Sequence, residues 1–497
     1  MSLLLTNSLN QMGEHPLAEG TTKPTRLFGI ISLLGAVTLF GSNPLIGILG
    51  TLVALAIAKM MWSPSEPQTL VFILGFQWVQ AFASVFVALL DGQPIEVTLG
   101  GPQFETATIL SLLALLILAF GIKFGGRKSI PASAKSLRSG LESLRKNRLV
   151  IAWVLLSLLN VGLSILGAKF PAIRQALIAF EVWKWASVLL IFFRWLALGE
   201  GRLMAVSVLL VELIIGTMGY FSSFKQVFFI LLVAATGVTA VTGKRSLILA
   251  GVGVVMIFFL GFWQVIKNPY RSFLSRGERA QVVDVSLQER VEWLTTVVGM
   301  IDRDMVSTGW KAGLARISYV EYFGHSINVV PSIIPHTNGK LWKEAIMHPL
   351  MPRFLFPNKP SIDDSERTNA YTGVSVAGAE EGTSVSIGYI GESYIDFGMF
   401  GMFIPIFLWG LLIGKCSSLL RRKAPHPLFG SVLSSCLLIS SVMLMESSNL
   451  KLVGGFLSAF LVSLVILHFF GRRLWAMIGG ELTEPPTEDS ETTEQVS

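Results

Sequence analysis

Apolar runs of membrane-crossing length constrain this chain more than any other feature. Stretches such as "LIGILGTLVALAIAKMM" and "MFIPIFLWGLLIG" recur along it with scarcely a charge inside them. Helices carry such runs across a bilayer, because every backbone N–H and C=O then finds its partner within the segment. Of the 497 residues, 52% are hydrophobic and 14% charged, against about 25% charged in a soluble domain. The expected fold class is an all-α polytopic membrane protein.

Twelve windows qualify, at 27–41, 44–62, 69–90, 106–123, 149–166, 182–198, 203–219, 226–242, 246–265, 397–414, 428–445 and 452–469. Cations test their polarity, because Lys and Arg accumulate in cytoplasmic connections. After the fourth window comes "GGRKSIPASAKSLRSGLESLRKNR", with seven Lys/Arg and one Glu. After the eighth, tenth and twelfth come "GKR", "KCSSLLRRKAPH" and "GRR", whereas "DGQPIEVTLGGPQFE" and "ESSNLK" on the other side are poor in cations. Both termini are therefore expected in the cytoplasm. The net charge of +7 reports orientation, not nucleic-acid binding. Cys416 and Cys436 fall in or beside late windows, so no disulfide framework is implied. The polar first 26 residues lack the apolar core of a signal peptide.

The expected organisation is a cytoplasmic segment 1–26, nine spans over 27–265, a large external loop 266–396, three spans over 397–469 and a tail 470–497. That tail, acidic and Pro/Thr-rich, reads as disordered. Loops longer than about 15 residues are either functional or disordered. The external loop has Val291, Leu294, Val298 and Ile301 at helical spacing and is rich in aromatics, Trp293, Trp310 and Trp342 among them. It reads as an ordered, partly helical subdomain packed on the membrane bundle.

The sequence contains no P-loop, no GxGxxG between strand and helix, no HExxH and no paired CxxC. No cofactor or metal is expected. The acids of "IDDSE" are a weak metal signal, because short acidic turns are common on surfaces. The stretch "ARISYVEYFGHSINVVP" reads as one helix, with Arg316, Tyr319 and Phe323 on one face and Glu321, Tyr322 and His325 on the other. Aromatics stack on sugars and guanidinium grips phosphate through paired hydrogen bonds, which makes Arg316, Tyr319 and Tyr322 candidates for a sugar phosphate. An arginine snorkelling over an interfacial aromatic belt fits equally.

In "PRFLFPNKP", three prolines stiffen the backbone that presents Arg353 and Lys359. Such cations suit a pyrophosphate, or else a brace that pairs with the nearby acids. Glu392 and Asp396 stand four apart where the tenth window begins. They suit a helix N-terminus electrostatically, and either is also placed to act as a general base. Glu212 lies mid-way along the seventh window, where a charge costs about 2.5–3.5 kcal/mol and needs a partner. Arg194 is the expected one, with Lys184 nearer the outer end.

The C-terminal third resembles the Wzy-type oligosaccharide repeat-unit polymerases. The resemblance rests on the external helix with Arg316, then "NGKLWKEAI", "MPRFLFPNKP" and a Thr/Ser-rich lead into "GESYIDFGMFG". It implies a GT-C-like membrane glycosyltransferase of the bacterial inner membrane. Such an enzyme joins undecaprenyl-pyrophosphate-linked repeat units into a surface polysaccharide on the outer face. By position it implies pyrophosphate binding by Arg316, Arg353 and Lys359. Glu392 is then the first choice for the catalytic base and His325 the second. A chain-length regulator and a flippase of the same pathway are the implied partners. An O-antigen ligase and a lipid-linked oligosaccharide flippase are the alternatives.

Overall fold

A computed structural model describes residues 24–64, 66–128, 132–170, 172–218, 224–237, 243–277, 283–300, 302–351, 355–356, 359, 363–378 and 383–481. Among them every regular element is a helix. In chain order these are α1 (Thr25–Thr38), α2 (Pro44–Met61), α3 (Thr69–Asp91), α4 (Ile95–Leu99), α5 (Gln103–Gly125), α6 (Ala134–Ser143) and α7 (Lys146–Lys169). There follow α8 (Arg174–Ile178), α9 (Glu181–Leu198), α10 (Arg202–Met218), α11 (Lys225–Ala235), α12 (Gly243–Leu274), α13 (Leu287–Val298) and α14 (Arg303–Ile317). The last are α15 (Glu321–Val329), α16 (Lys340–Leu350), α17 (Asp364–Thr372), α18 (Tyr389–Gly401), α19 (Phe403–Lys423), α20 (Pro427–Ser441) and α21 (Asn449–Met477). Arg353 and the tail beyond residue 481 lie outside the described residues.

A helix lies over all or most of each apolar window. Among the described residues seven segments are long and apolar enough to cross a membrane: α2, α3, α5, α7, Arg174–Leu198, α19 and α21. On α7 the apolar side chains Ile151, Leu155, Leu158, Val161 and Ile165 are exposed, a surface suited to lipid rather than water.

The tightest helix pair joins the two sides of the large loop. Gly121 and Gly125 of α5 meet Gly410 and Gly414 of α19, and a Cβ on any of the four would run into backbone of the opposite helix. Where lipid is as apolar as leucine, such small residues let helices gain dispersion contacts that larger ones forbid.

The connections gather at two ends, as alternating spans require. At one end Asn43 accepts the Ile95 N–H at 2.8 Å. At the other Glu66 accepts the Ala132 N–H at 3.1 Å and pairs with Arg421, while His426 stacks on Trp475 at 5.0 Å.

The loop helix α13 forms where its periodicity predicts, opened by a Ser286–Glu289 capping box. Three other expectations need correction. The helix expected through Arg316 and His325 is two, because Ser318–Val320 leave helical geometry as the chain passes α3, where the Tyr319 N–H bonds the Gln80 carbonyl at 2.9 Å. The entrance to the tenth window is likewise a separate helix, α18, kinked near its end at Gly398, whose φ of +71° residues other than glycine rarely adopt.

Glu212 does not pair with Arg194. Its carboxylate takes Lys184 at 2.9 Å and the Trp153 indole N–H at 2.8 Å. Arg194 instead holds the Leu141 and Leu144 carbonyls and Glu200. The reason is the hairpin of α9 and α10. Glu212 is eleven residues past its turn at Gly201, Lys184 fifteen before Gly199, and Arg194 only five. At 1.5 Å per residue Glu212 lies about 16 Å from the turn, Lys184 about 22 Å and Arg194 about 8 Å, so Lys184 is the nearer in height and its long side chain closes the gap.

Candidate functional site

The site is built around two glutamines in α3. Gln77 and Gln80 are buried, and a buried amide is costly unless its hydrogen bonds are met. Gln77 donates to the Val442 carbonyl at 2.5 Å and accepts the Tyr389 hydroxyl at 2.8 Å. The Gln80 side chain accepts the Met445 N–H at 2.9 Å. These bonds pin residues 442–448, between α20 and α21, to the middle of α3. Irregular backbone at such a depth is tolerated where protein covers it or a cavity adjoins it. Ser386 ties the same segment to the loop: its hydroxyl donates to the Glu446 carbonyl and its carbonyl accepts the Tyr319 hydroxyl.

On one flank of this segment lies a cluster of cations. Gly309 of α14 packs against the Gly261 backbone of α12, which brings Arg316, at the end of α14, towards Lys267 and Arg271 of α12 and Lys225 at the start of α11. Among the described residues Glu446 is the negative charge acting on Lys267 and Lys225. Burial, then the charges of Arg271, Arg316 and Lys225, push the Lys267 ammonium down to about 8. Lys267 stands two residues beyond the ninth apolar window. Tyr319 and Tyr322 adjoin Arg316, their rings 5.7 Å apart. Burial raises both phenols, so both remain neutral hydrogen-bonding groups.

On the other flank lie the carboxylates of α18. Asp396 caps α16: it accepts the Leu341 and Trp342 N–H groups at 3.0 and 2.9 Å and the Thr337 hydroxyl. Glu392 is less fully bonded. One oxygen accepts the Asn449 N–H at 2.8 Å; the other lies 3.6 Å from Arg367 without a hydrogen bond. Burial, aided by the charges of Asp364 and Asp396 and opposed by Arg367 and the Asn449 N–H, pushes its carboxyl up to about 7. Arg367 also pairs with Glu344 at 3.0 Å, and Asp364 with Lys451 at 2.8 Å. The "IDDSE" acids thus serve other ends, since Asp363 caps α17 and Asp364 is ion-paired.

Two cavities open beside this second group. One, of 440 Å³, lies between α16 and α17, with Lys340, Glu344, Lys359, Arg367 and Tyr371 in its wall. The other, of 640 Å³, is lined by Arg174, Gln175, Glu181, Ser440 and Ser458 and shares His348 and Lys359 with the first. The Lys359 ammonium donates to the His348 and Met351 carbonyls, so it braces the wall between them.

The structure therefore brings Arg316, Tyr319 and Tyr322 together and sets Glu392 and Lys359 apart from them, across residues 442–448. The break at Ser318–Val320 places Tyr322 beside Tyr319 and not on an opposite face. His325 stands away from both groups, its ring edge-on to Phe104 at 5.2 Å. Sequence reasoning passed over Lys225, Lys267, Arg271, Glu446 and Asn449. Lys267 and Arg271 carried a signal, being one helical turn apart; Glu446 and Asn449 sit in a short connection notable only for its lack of cations.

A family described as a domain of unknown function (DUF8712) matches residues 128–471, from the connection after α5 to the last turns of α21. No curated protein and no solved structure matches the chain.

Proposed function

This chain belongs to the DUF8712 family, and we propose that it is a membrane glycosyltransferase of the repeat-unit polymerase kind. On this reading all twelve apolar helices span a bacterial inner membrane in a GT-C-like arrangement. Both termini are cytoplasmic, and a flippase and a chain-length regulator of the same pathway are its partners. The donor is a glycan on a lipid pyrophosphate and the acceptor the next lipid-linked unit.

One observation carries the proposal: four cations, Lys225, Lys267, Arg271 and Arg316, lie close enough to act on one another electrostatically, with the Glu446 carboxylate beside them. Fixed cations in a partly dry site stabilise the negative charge that develops on a departing pyrophosphate. In the reaction the acceptor hydroxyl oxygen bonds the donor's anomeric carbon. The carbon–oxygen bond to phosphate breaks, and the pyrophosphate leaves with that electron pair. Glu392, buried and with its carboxyl pushed up to about 7, receives the hydroxyl proton when donor and acceptor meet across residues 442–448. Tyr319 and Tyr322 are positioned to contact the sugar next to the phosphate. Lys359, occupied by two carbonyls, shapes the acceptor cavity instead of clamping phosphate.

An O-antigen ligase performs the same bond exchange on a different acceptor. The depth of residues 442–448, level with the middle of α3, favours a second reading, a transporter of lipid-linked oligosaccharide. Glycan chain length separates them, measured in cells lacking the protein and complemented with wild type or Arg316→Ala at equal membrane levels. A polymerase leaves single repeat units and no ladder in both the null and Arg316→Ala cells. Loss of all external glycan from the null cells, with lipid-linked units trapped inside, would make it a transporter. A ladder of normal length from Arg316→Ala would rule out the clamp.

A further inference from the structure

Three polar groups without hydrogen-bond partners converge where α17, α18 and α21 meet. They are the second Glu392 oxygen, the Arg367 Nη1 and both side-chain atoms of Asn449. Asn449 is fully buried and its own N–H binds the other Glu392 oxygen. A buried polar atom left unbonded is costly, so these four atoms are ones that an entering polar group would bond.

The donor and acceptor pattern fixes its chemistry. An ionised carboxylate only accepts, a guanidinium only donates, and a carboxamide does both. A cation is repelled by Arg367 and an anion by Glu392. A neutral group that both donates and accepts fits, as a hydroxyl does. The 440 Å³ cavity adjoins the group: its wall includes Arg367 and Leu450, the residue after Asn449.

We infer that Asn449, Arg367 and Glu392 form a seat for one hydroxyl, and that in turnover this is the attacking hydroxyl of the acceptor sugar. It donates to Glu392 and accepts from Arg367 and the Asn449 amide, which aims an oxygen lone pair before the proton is transferred. Naming the sugar rests on the polymerase reading above. Asn449 is thus a positioning residue.

The test uses the full chain in lipid nanodiscs with lipid-linked repeat units. Asn449→Leu keeps the shape and removes the amide. It is expected to lower kcat/KM for the acceptor about ten- to a hundredfold, the effect of losing hydrogen bonds to a substrate hydroxyl. Thermal stability should stay level or rise, because an unbonded amide is gone. Asn449→Ala gives the same reading should the leucine variant not fold. An infrared band of the Glu392 carboxyl is expected to shift when free repeat-unit oligosaccharide is added to wild type, and to stay fixed in Asn449→Leu. Wild-type elongation matched by both variants, with the band shift retained, overturns the seat. No elongation by wild type overturns the polymerase reading and, with it, the sugar as occupant.

Discussion

Glu392 makes the stability of the fold depend on pH in an unusual direction. Its carboxyl rises from an ordinary 4.5 to about 7, first because it is buried. Between those values the folded chain holds a proton that the unfolded chain has released, so stability falls as pH rises through this window. At ~1.4 kcal/mol for each pH unit, the rise amounts to about 3 kcal/mol lost by pH 8, undiminished by solvent because the side chain is fully buried. Glu392→Gln keeps a neutral side chain of the same shape. Thermal unfolding in detergent from pH 5 to 8 should show the two proteins alike at pH 5 and the variant higher by a few degrees at pH 8. Transfer moves the other way, since the base works only when deprotonated: wild-type elongation should rise through the same window and Glu392→Gln should lose it. Arg367 lowers this carboxyl, so Arg367→Met should shift the wild-type midpoint upward. Unfolding temperatures that run parallel with pH would refute the assignment, because they would mean that Glu392 is ionised throughout or neutral throughout.

Two further outcomes concern the bundle. Lys184→Met leaves Glu212 buried and unpaired among apolar helices, a change that costs about 3–5 kcal/mol. Lys184→Met with Glu212→Leu should recover most of it, as thermal unfolding of the two proteins will show; equal losses would mean that the pair contributes nothing specific. Gly410→Leu drives a side chain into the Leu118 carbonyl and the Gly121 backbone. It should cost more than the ~1–3 kcal/mol of ordinary overpacking, because backbone cannot move aside. The check is the yield of monodisperse protein, and a wild-type yield would contradict the close approach of α5 and α19.

Much of the candidate site was legible residue by residue and little of it as a set. Glu392 stood out as an acid at the start of a helix, and its burial agrees with a chemical role. Arg316 stood out beside tyrosines, yet the four groups that define its surroundings lie elsewhere in the chain. Lys359 stood out because prolines stiffen its segment, and it spends its ammonium on two carbonyls of that region. Asn449 gave no signal, since an asparagine after two serines reads as an ordinary helix cap.

By itself the sequence determined where the apolar helices form. Apolar windows of membrane length, the spacing of Val291, Leu294 and Val298, and the Ser286–Glu289 cap act through the backbone over one or two turns, and such local physics needs no neighbour. Only the tertiary structure decided which charges meet. Arg316 faces Lys225, Lys267 and Glu446, and Glu212 faces Lys184, because of which helices adjoin and at what height. The break at Ser318–Val320 has the same origin: a hydrogen bond to Gln80 in α3, more than two hundred residues earlier, stands where the local pattern alone would continue a helix.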